Sequence, residues 1–484
     1  MNYTSTRDAA QKVTAQQAIL KGLAPGGGLF VPTSLPGLNL QTLLGKTYNQ
    51  VALAVLQAFL PDYAPDFLQQ ALDDSYGENF DNKAGHVVKV TDGLFALELW
   101  HGPTSAFKDY ALQLMPKLLV QARAMLNETD ETIFMVATSG DTGKAALEGY
   151  KNRPGIKMAV FYPENGVSEV QRLQMATQQG DNLAVYAVKG NFDDTQRGIK
   201  IAFNSQDIAT RLLAQHKKLS SANSINWGRL LPQIVYYITS YLALCQNGAV
   251  AMGQPVDFCV PTGNFGDIMA GYYAKLMGLP VGQLICASNQ NNVLSDFFAS
   301  GKYVAKRPLH KTSSPSMDIL VSSNLERLLY HETQSPAQVS QWMADLAEKG
   351  EYQVDAKTLE EINKTFAAGW ADEEQVSEEI AELKTKYNYL ADPHTAVAFK
   401  VWRNLPASGR PVVVLSTASP YKFSGKVLQA LGQVVPADEF DAIAKLEQVS
   451  GTKAPAALTA LKTKPVRFTQ VIEADEMLEV PFTL

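Results

Sequence analysis

Six short runs in which nearly every residue is apolar constrain this chain more than anything else in it: 133–137, 157–162, 183–188, 256–260, 284–287 and 412–415. A strand with one face in water alternates polar and apolar residues, whereas a near-continuous apolar run needs cover on both faces. That is the condition of parallel strands sandwiched between helices. Amphipathic stretches separate the runs, so the fold class is α/β with open, mostly parallel sheets. A closed β/α barrel is the competing architecture. Uneven strand spacing and the long helical stretch 324–389 suit open sheets better. That stretch carries charge at Glu360, Glu361, Asp372, Glu373, Glu374, Glu378 and Glu379, lacks strand-like runs, and reads as helices packed outside. An N-terminal portion with helical patterns at 13–20 and 51–60 and a joint at Pro25-Gly-Gly-Gly28 precedes the first run. At 484 residues the chain is large enough for two or three substructures.

The residues with chemistry stand where loops hand over to helices. Lys108 lies in His101-Gly-Pro-Thr-Ser-Ala-Phe-Lys-Asp-Tyr110, ahead of apolar positions 111, 114, 115, 118, 122, 125 and 126. This period puts Lys108 in a first helical turn, with Thr104 or Ser105 as cap and Pro116 as a kink. The positive end of the helix dipole and partial burial beside Phe107 oppose an ammonium there. They favour the neutral amine, which attacks carbonyl carbon. A solvated lysine that merely begins a helix is the plain alternative.

Pro261-Thr-Gly-Asn-Phe-Gly-Asp267 follows one apolar run and opens a helical pattern. Gly263 and Gly266 permit close backbone approach, and with Asn264, Phe265 and Asp267 they form a turn whose N–H groups converge at a helix N-terminus. Such a turn makes a phosphate cradle, with a tight βα turn of incidental glycines as the plain alternative. No Lys-Ser/Thr pair follows, and neither a third glycine nor a ribose-binding acid stands at dinucleotide spacing, so a phosphate monoester fits better than a nucleotide. Ala137-Thr-Ser-Gly-Asp-Thr-Gly-Lys-Ala145 fails the Walker pattern at Thr138 and Ala145. Hydroxyls and N–H groups at its helix N-terminus can instead hold a carboxylate, with Ser139 and Thr142 as donors, and capping by Ser139 or Asp141 is the bland reading. Val412-Val-Val-Leu-Ser-Thr-Ala-Ser-Pro-Tyr-Lys422 ends a strand in two hydroxyl residues, of which a neutral hydroxyl can meet a pyridine nitrogen without keeping it protonated, although strands often end in Ser-Thr-Ala for no such reason.

Composition removes several classes. A net charge of −6 leaves no basic field for nucleic acid. Cys245, Cys259 and Cys286 form neither a disulfide framework nor a metal pattern, which fits a reducing cytoplasm, and the six histidines lack ligand spacing, so no metal is expected. Neither an export signal nor an apolar run of membrane-spanning length is read, so no membrane partner is expected.

Together, His101 to Asp109, Thr138 to Gly143, Gly263 to Asp267 and Ser416 to Lys422 resemble the threonine synthase family, in its longer branch. The likeness extends through Gly22 to Pro32, Ser168 to Met175, Val188 to Gln196, Ser224 to Arg229 and Asp392 to Val397. Gly26 stands where the family more often has aspartate, and Ser419 and Tyr421 depart from its Ala-His-Pro-Ala-Lys-Phe pattern.

The resemblance implies a tryptophan-synthase-β-like architecture of two three-layer domains (pyridoxal-phosphate fold type II). Residues 1–92 would form the N-terminal portion, 93–134 and 218–484 a large cofactor-binding domain with the insertion 324–389, and 135–217 a small substrate-side domain. It implies pyridoxal 5'-phosphate held by Lys108 as a Schiff base, by Gly263, Asn264, Phe265, Gly266 and Asp267 at its phosphate, and by Thr417 at its ring nitrogen. The implied substrate is O-phosphohomoserine, converted with water to threonine and phosphate by a monomer or homodimer. Its carboxylate would meet Ser139, Asp141 and Thr142. For its phosphate Arg229 ranks first, because a planar guanidinium grips phosphate through two parallel bonds, ahead of Arg172, Lys189, Asn191 and Asn226. A phospho-lyase or dehydratase of the same fold is the alternative, and a non-catalytic pyridoxal-phosphate-binding protein is a third.

Overall fold

The computed structural model describes residues 1–484 and holds two main sheets. The large sheet runs in the order Phe366–Trp370, Val281–Ser288, Val256–Pro261, Val412–Ser416, Leu94–Glu98 and His86–Thr91. Every neighbouring pair is parallel except the last. The small sheet runs Val471–Ile472, Leu183–Val188, Ile156–Pro163, Glu131–Ala137 and Lys217–Ser220, parallel throughout.

Successive residues along these strands enter different cores, which is why the runs carry no polar alternation. Phe258, Val260, Leu284, Cys286, Val413 and Leu415 of the large sheet join Phe134, Val136, Met158 and Val160 of the small sheet in one core of 88 residues. On the far face of the large sheet Cys259, Ile285, Ala287, Val412 and Val414 belong to a second core of 30 residues, and Ile133, Met135, Ala159 and Phe161 to a third of 10 behind the small sheet. The shared core joins one face of each sheet, and through it passes the helix Trp227–Gln246, buried along almost its whole length. No helix is long and apolar enough to cross a membrane.

All six apolar runs are strands. Several expectations need correction. The N-terminal portion contains a three-stranded sheet, Asp8–Thr14, Asn2–Ser5 and Phe30–Pro32, besides its helices Ala15–Lys21 and Tyr48–Phe59. The stretch 324–389 is not purely helical. Phe366–Trp370 forms the parallel edge of the large sheet and Glu351–Gln353 pairs with Lys302–Val304. Phe366–Trp370 reads weakly because its Ala-Ala-Gly centre has little apolar mass. The small sheet also exceeds 135–217. It takes Glu131–Ala137 and Lys217–Ser220 whole, and Val471–Ile472, counted with the large unit by sequence position, completes its edge. Pro116 marks a break rather than a kink, between helices Lys108–Leu112 and Met115–Met125.

Candidate active site

The carboxyl ends of strands Glu131–Ala137, Val256–Pro261 and Val412–Ser416 deliver three loops to one cleft between the sheets, the place where open α/β sheets receive ligands. Lys108, Thr142, Arg229, the loop 261–267, Ser316 and Thr417 line one cavity. A second, wider cavity of about 710 Å³ is bordered by Ser139, Gln171, Asn191 and Lys422.

Lys108 is the first residue of its helix. Its Nζ donates to Ser316 Oγ at 3.0 Å and lies 3.9 Å from Asp141 Oδ2. Burial lowers its pKa to about 8, Asp141 opposes that shift, and the cations of Lys422 and Arg229 add to it. Burial and neighbouring cations therefore do what was expected of the helix dipole, which a helix of 5 residues barely supplies. The expected caps are absent. Phe107 occupies the N-cap without a side-chain bond. Thr104 Oγ1 and N–H instead donate to the Asp109 carboxylate, at 2.8 Å each, and Ser105 sits at φ 59° with its Oγ buried and unpartnered.

The loop 262–266 turns the chain from strand into the helix Gly266–Leu276. The N–H groups of Gly263, Asn264, Phe265, Gly266, Asp267 and Ile268 meet no acceptor in the protein. The loop is fixed from outside by Ser322 Oγ, which donates to Gly263 O at 2.7 Å, and by Asn324, whose N–H and Nδ2 donate to Asn264 O. A Cβ at Gly263 would stand 2.8 Å from the Ser316 carbonyl oxygen. Phe265 contributes backbone only: it takes φ 63° while its ring packs with Phe298 and Phe366. Asp267 accepts from the Tyr236 and Tyr237 hydroxyls at 2.6 and 2.9 Å; burial raises its pKa to about 7, partly offset by those two bonds. Thr417 bonds through its carbonyl to Phe107 N–H at 2.8 Å, leaving its hydroxyl without a protein partner in the cavity wall.

At the head of the helix Asp141–Tyr150, Thr138 Oγ1 accepts from Gly140 and Gly143, so Thr138 does the local capping expected of Ser139 or Asp141. The hydroxyls of Ser139 and Thr142 and the N–H groups of Ser139, Asp141 and Thr142 remain free of protein partners. Gly140 takes φ 134°, and a Cβ there would meet Gln171 Nε2 at 2.5 Å. Asp141 Oδ1 binds Lys422 Nζ at 2.5 Å and Oδ2 accepts from Ser316 Oγ at 3.2 Å. Burial works against its charge, yet Lys422 and Lys108 hold it well below the usual carboxylate range.

Arg229 is 4% exposed, donates to Ala222 O at 2.5 Å, and has a buried Nε with no partner and no carboxylate beside it. Burial lowers its pKa to about 10. The other candidates for a phosphate seat are occupied or remote. Arg172 and Lys189 pair on the surface with Glu169 and Glu473, Asn226 caps the helix Trp227–Gln246, and Asn191 caps the helix Phe192–Asn204 at the rim of the wider cavity. Ser419 and Tyr421 face inward: the Tyr421 hydroxyl meets Ser450 and Thr452. Residue reasoning missed Ser316, Lys422 and His394, whose Nε2 accepts from Ser316 N–H at 3.3 Å and whose Nδ1 faces Asp392 Oδ2 at 2.6 Å. Lys422 and His394 stand in the segments Ser416 to Lys422 and Asp392 to Val397 that carry the resemblance, whereas Ser316 has no local signal.

Models of the threonine synthase N terminus, of pyridoxal-phosphate dependent enzymes and of the threonine synthase C-terminal region match residues 2–76, 84–417 and 395–479. The threonine synthase of Pseudomonas aeruginosa is 40% identical over 90% of this chain and 91% of its own length. The chain belongs to the threonine synthase family of pyridoxal-phosphate-dependent enzymes. Within that family, threonine synthase-like 1 of Homo sapiens is 41% identical over 89% of this chain, and the chain spans only 60% of that relative's length. The crystal structure of threonine synthase from Brucella melitensis, described as bound to PLP, superposes with TM-score 0.89 at 37% identity over 99% of both chains. That of yeast threonine synthase gives 0.88 at 32% over 100% of this chain and 97% of the other.

Proposed function

We propose that the protein is a threonine synthase, converting O-phosphohomoserine and water to threonine and phosphate with pyridoxal phosphate as cofactor. The observation that carries this reading is one buried amine set among three anion seats: the loop 263–268, the loop 139–142 and Arg229. The residues fit the cofactor. Converging N–H groups without a protein acceptor suit its phosphate, the Thr417 hydroxyl suits its ring nitrogen, and Lys108 Nζ suits its aldehyde. When bound, the cofactor supplies an electron sink conjugated to the substrate α-carbon.

The chain's own residues do the rest. The Ser139 and Thr142 hydroxyls, with the N–H groups beside them, hold the substrate carboxylate; Asp141, engaged by Lys422 and Ser316, orients that loop rather than binding an anion itself. Arg229 grips the phosphate ester and meets its growing charge as the bond at the γ-carbon breaks, at no cost in breaking an existing ion pair. Lys108 Nζ takes and returns the protons at the α- and β-carbons, with Ser316 Oγ within hydrogen-bond reach to fix its direction. Asn191, on the wall of the wider cavity, is a further neutral donor to the substrate in this reading. Residues 135–217, extended to the whole small sheet, act as the substrate-side unit that closes over the site and excludes water from early steps. Three cysteines outside any disulfide support a cytoplasmic setting, as a monomer or homodimer.

The test supplies O-phosphohomoserine and measures threonine and phosphate. Equal yields are expected. Release of 2-oxobutyrate in place of threonine makes the protein a phospho-lyase, and 2-oxoacid from free threonine without phosphate chemistry makes it a dehydratase.

A further inference from the structure

Lys422 is a second lysine in this site, and nothing in the chemistry above requires it to touch substrate. Its side chain is 0% exposed, reaches Asp141 Oδ1 at 2.5 Å and donates to Thr104 O at 3.1 Å. Asp141 thus lies between two amines, Lys422 in contact and Lys108 Nζ at 3.9 Å, with Ser316 Oγ bridging the longer gap. A carboxylate with a single neighbouring lysine pairs with it and holds it as ammonium; one already paired elsewhere does so far less.

We propose that Lys422 is a positioning residue for the reactive amine: by engaging Asp141 it withholds that carboxylate from Lys108 and leaves Lys108 Nζ free to capture an aldehyde. The inference rests on the reading of Lys108 as the cofactor-binding amine. Capture joins Nζ to the aldehyde carbon with loss of water, and only the unprotonated amine begins it.

The charges facing Lys108 come from several elements. Asp141 heads the helix Asp141–Tyr150, Arg229 lies on Trp227–Gln246, Asp267 on Gly266–Leu276, and Lys422 in the turn Pro420–Phe423. His394 lies behind Ser316, and Asp109, next in the chain, is turned to Thr104. Of these, Asp141 is the carboxylate near Nζ that favours the ammonium, and Lys422 and Arg229 are the cations that disfavour it. Lys422 therefore acts twice, as a like charge and as the partner that occupies Asp141.

The experiment follows capture itself, not turnover. Cofactor-free protein is mixed with pyridoxal phosphate, the adduct is trapped by reduction, and the labelled Lys108 peptide is quantified as an initial rate across pH. Wild type is expected to show a midpoint near 8. In Lys422→Met and Lys422→Gln the midpoint is expected to rise by a unit or more, slowing capture at neutral pH about tenfold. In Lys422→Met/Asp141→Asn, which leaves no unpaired charge of the pair to hinder folding, it is expected to return to the wild-type value or below. A midpoint unmoved in both single variants overturns the proposal, as does a rise that persists in the double variant. Absence of any Lys108 labelling in wild type overturns the assignment of the amine as well, so the two failures are distinct.

Discussion

Arg229 keeps a full charge in the interior with one carbonyl as its protein partner, an arrangement that costs folding energy unless an anion arrives. Arg229→Met is therefore expected to move activity and stability in opposite directions. With charge-assisted bonds to phosphate worth about 1.5–3 kcal/mol, kcat/KM for O-phosphohomoserine should fall roughly ten- to a hundredfold. The thermal midpoint of the ligand-free protein should rise, and cofactor absorbance should persist. Steady-state kinetics and a melting curve on the same sample check this. Lys108→Ala carries a different signature: loss of the yellow cofactor absorbance together with turnover, in a protein that still melts cooperatively, since a buried amine is replaced by a methyl. Absorbance retained at full strength with activity would remove Lys108 from the site.

Where strands become helices, glycines hold backbone where a side chain would not fit. Gly263→Ala would press a Cβ to 2.8 Å from the Ser316 carbonyl oxygen, backbone against backbone. The loop 263–268 must shift, and an overpacking penalty of about 1–3 kcal/mol is expected to appear as weaker cofactor binding in an absorbance titration, with little change in melting temperature without cofactor. The same elements show what sequence can reveal. Strands such as Val256–Pro261 and Val412–Ser416 were legible because both faces are buried, and the two anion loops because glycine and hydroxyl residues follow a strand directly. Phe366–Trp370 and Val471–Ile472 were not, since edge strands have half the cover and need fewer apolar residues. Ser316 and the Asp141–Lys422 contact escaped because they depend on segments far apart in the chain meeting across a cleft. Thr104 satisfied the local rule for a cap and was taken instead by Asp109, a tertiary demand no spacing reveals.

At the scale of the whole molecule, Asp267 ties the cofactor loop to global stability. Its carboxyl is raised from 3.8 to about 7 in the folded chain, so over that interval the folded state binds a proton that the unfolded state has released. The stability it contributes is complete below about pH 4 and declines as pH rises through the folded value. Asp267→Asn, which keeps an acceptor for Tyr236 and Tyr237, is expected to lose this dependence: the melting temperature of cofactor-free wild type should fall relative to the variant between pH 4 and 7. A constant difference across that range would mean Asp267 does not titrate there. The edge strand Val471–Ile472 bears on the molecule in another way. With Met477 and Val480 it seals the core behind the small sheet, although the chain first builds all six strands of the large sheet. On the ribosome, then, the small unit must wait, its apolar back uncovered, until nearly everything else has emerged. A premature stop just before residue 471 is therefore expected to yield a product that chaperones retain, even with every residue of the cleft already synthesised.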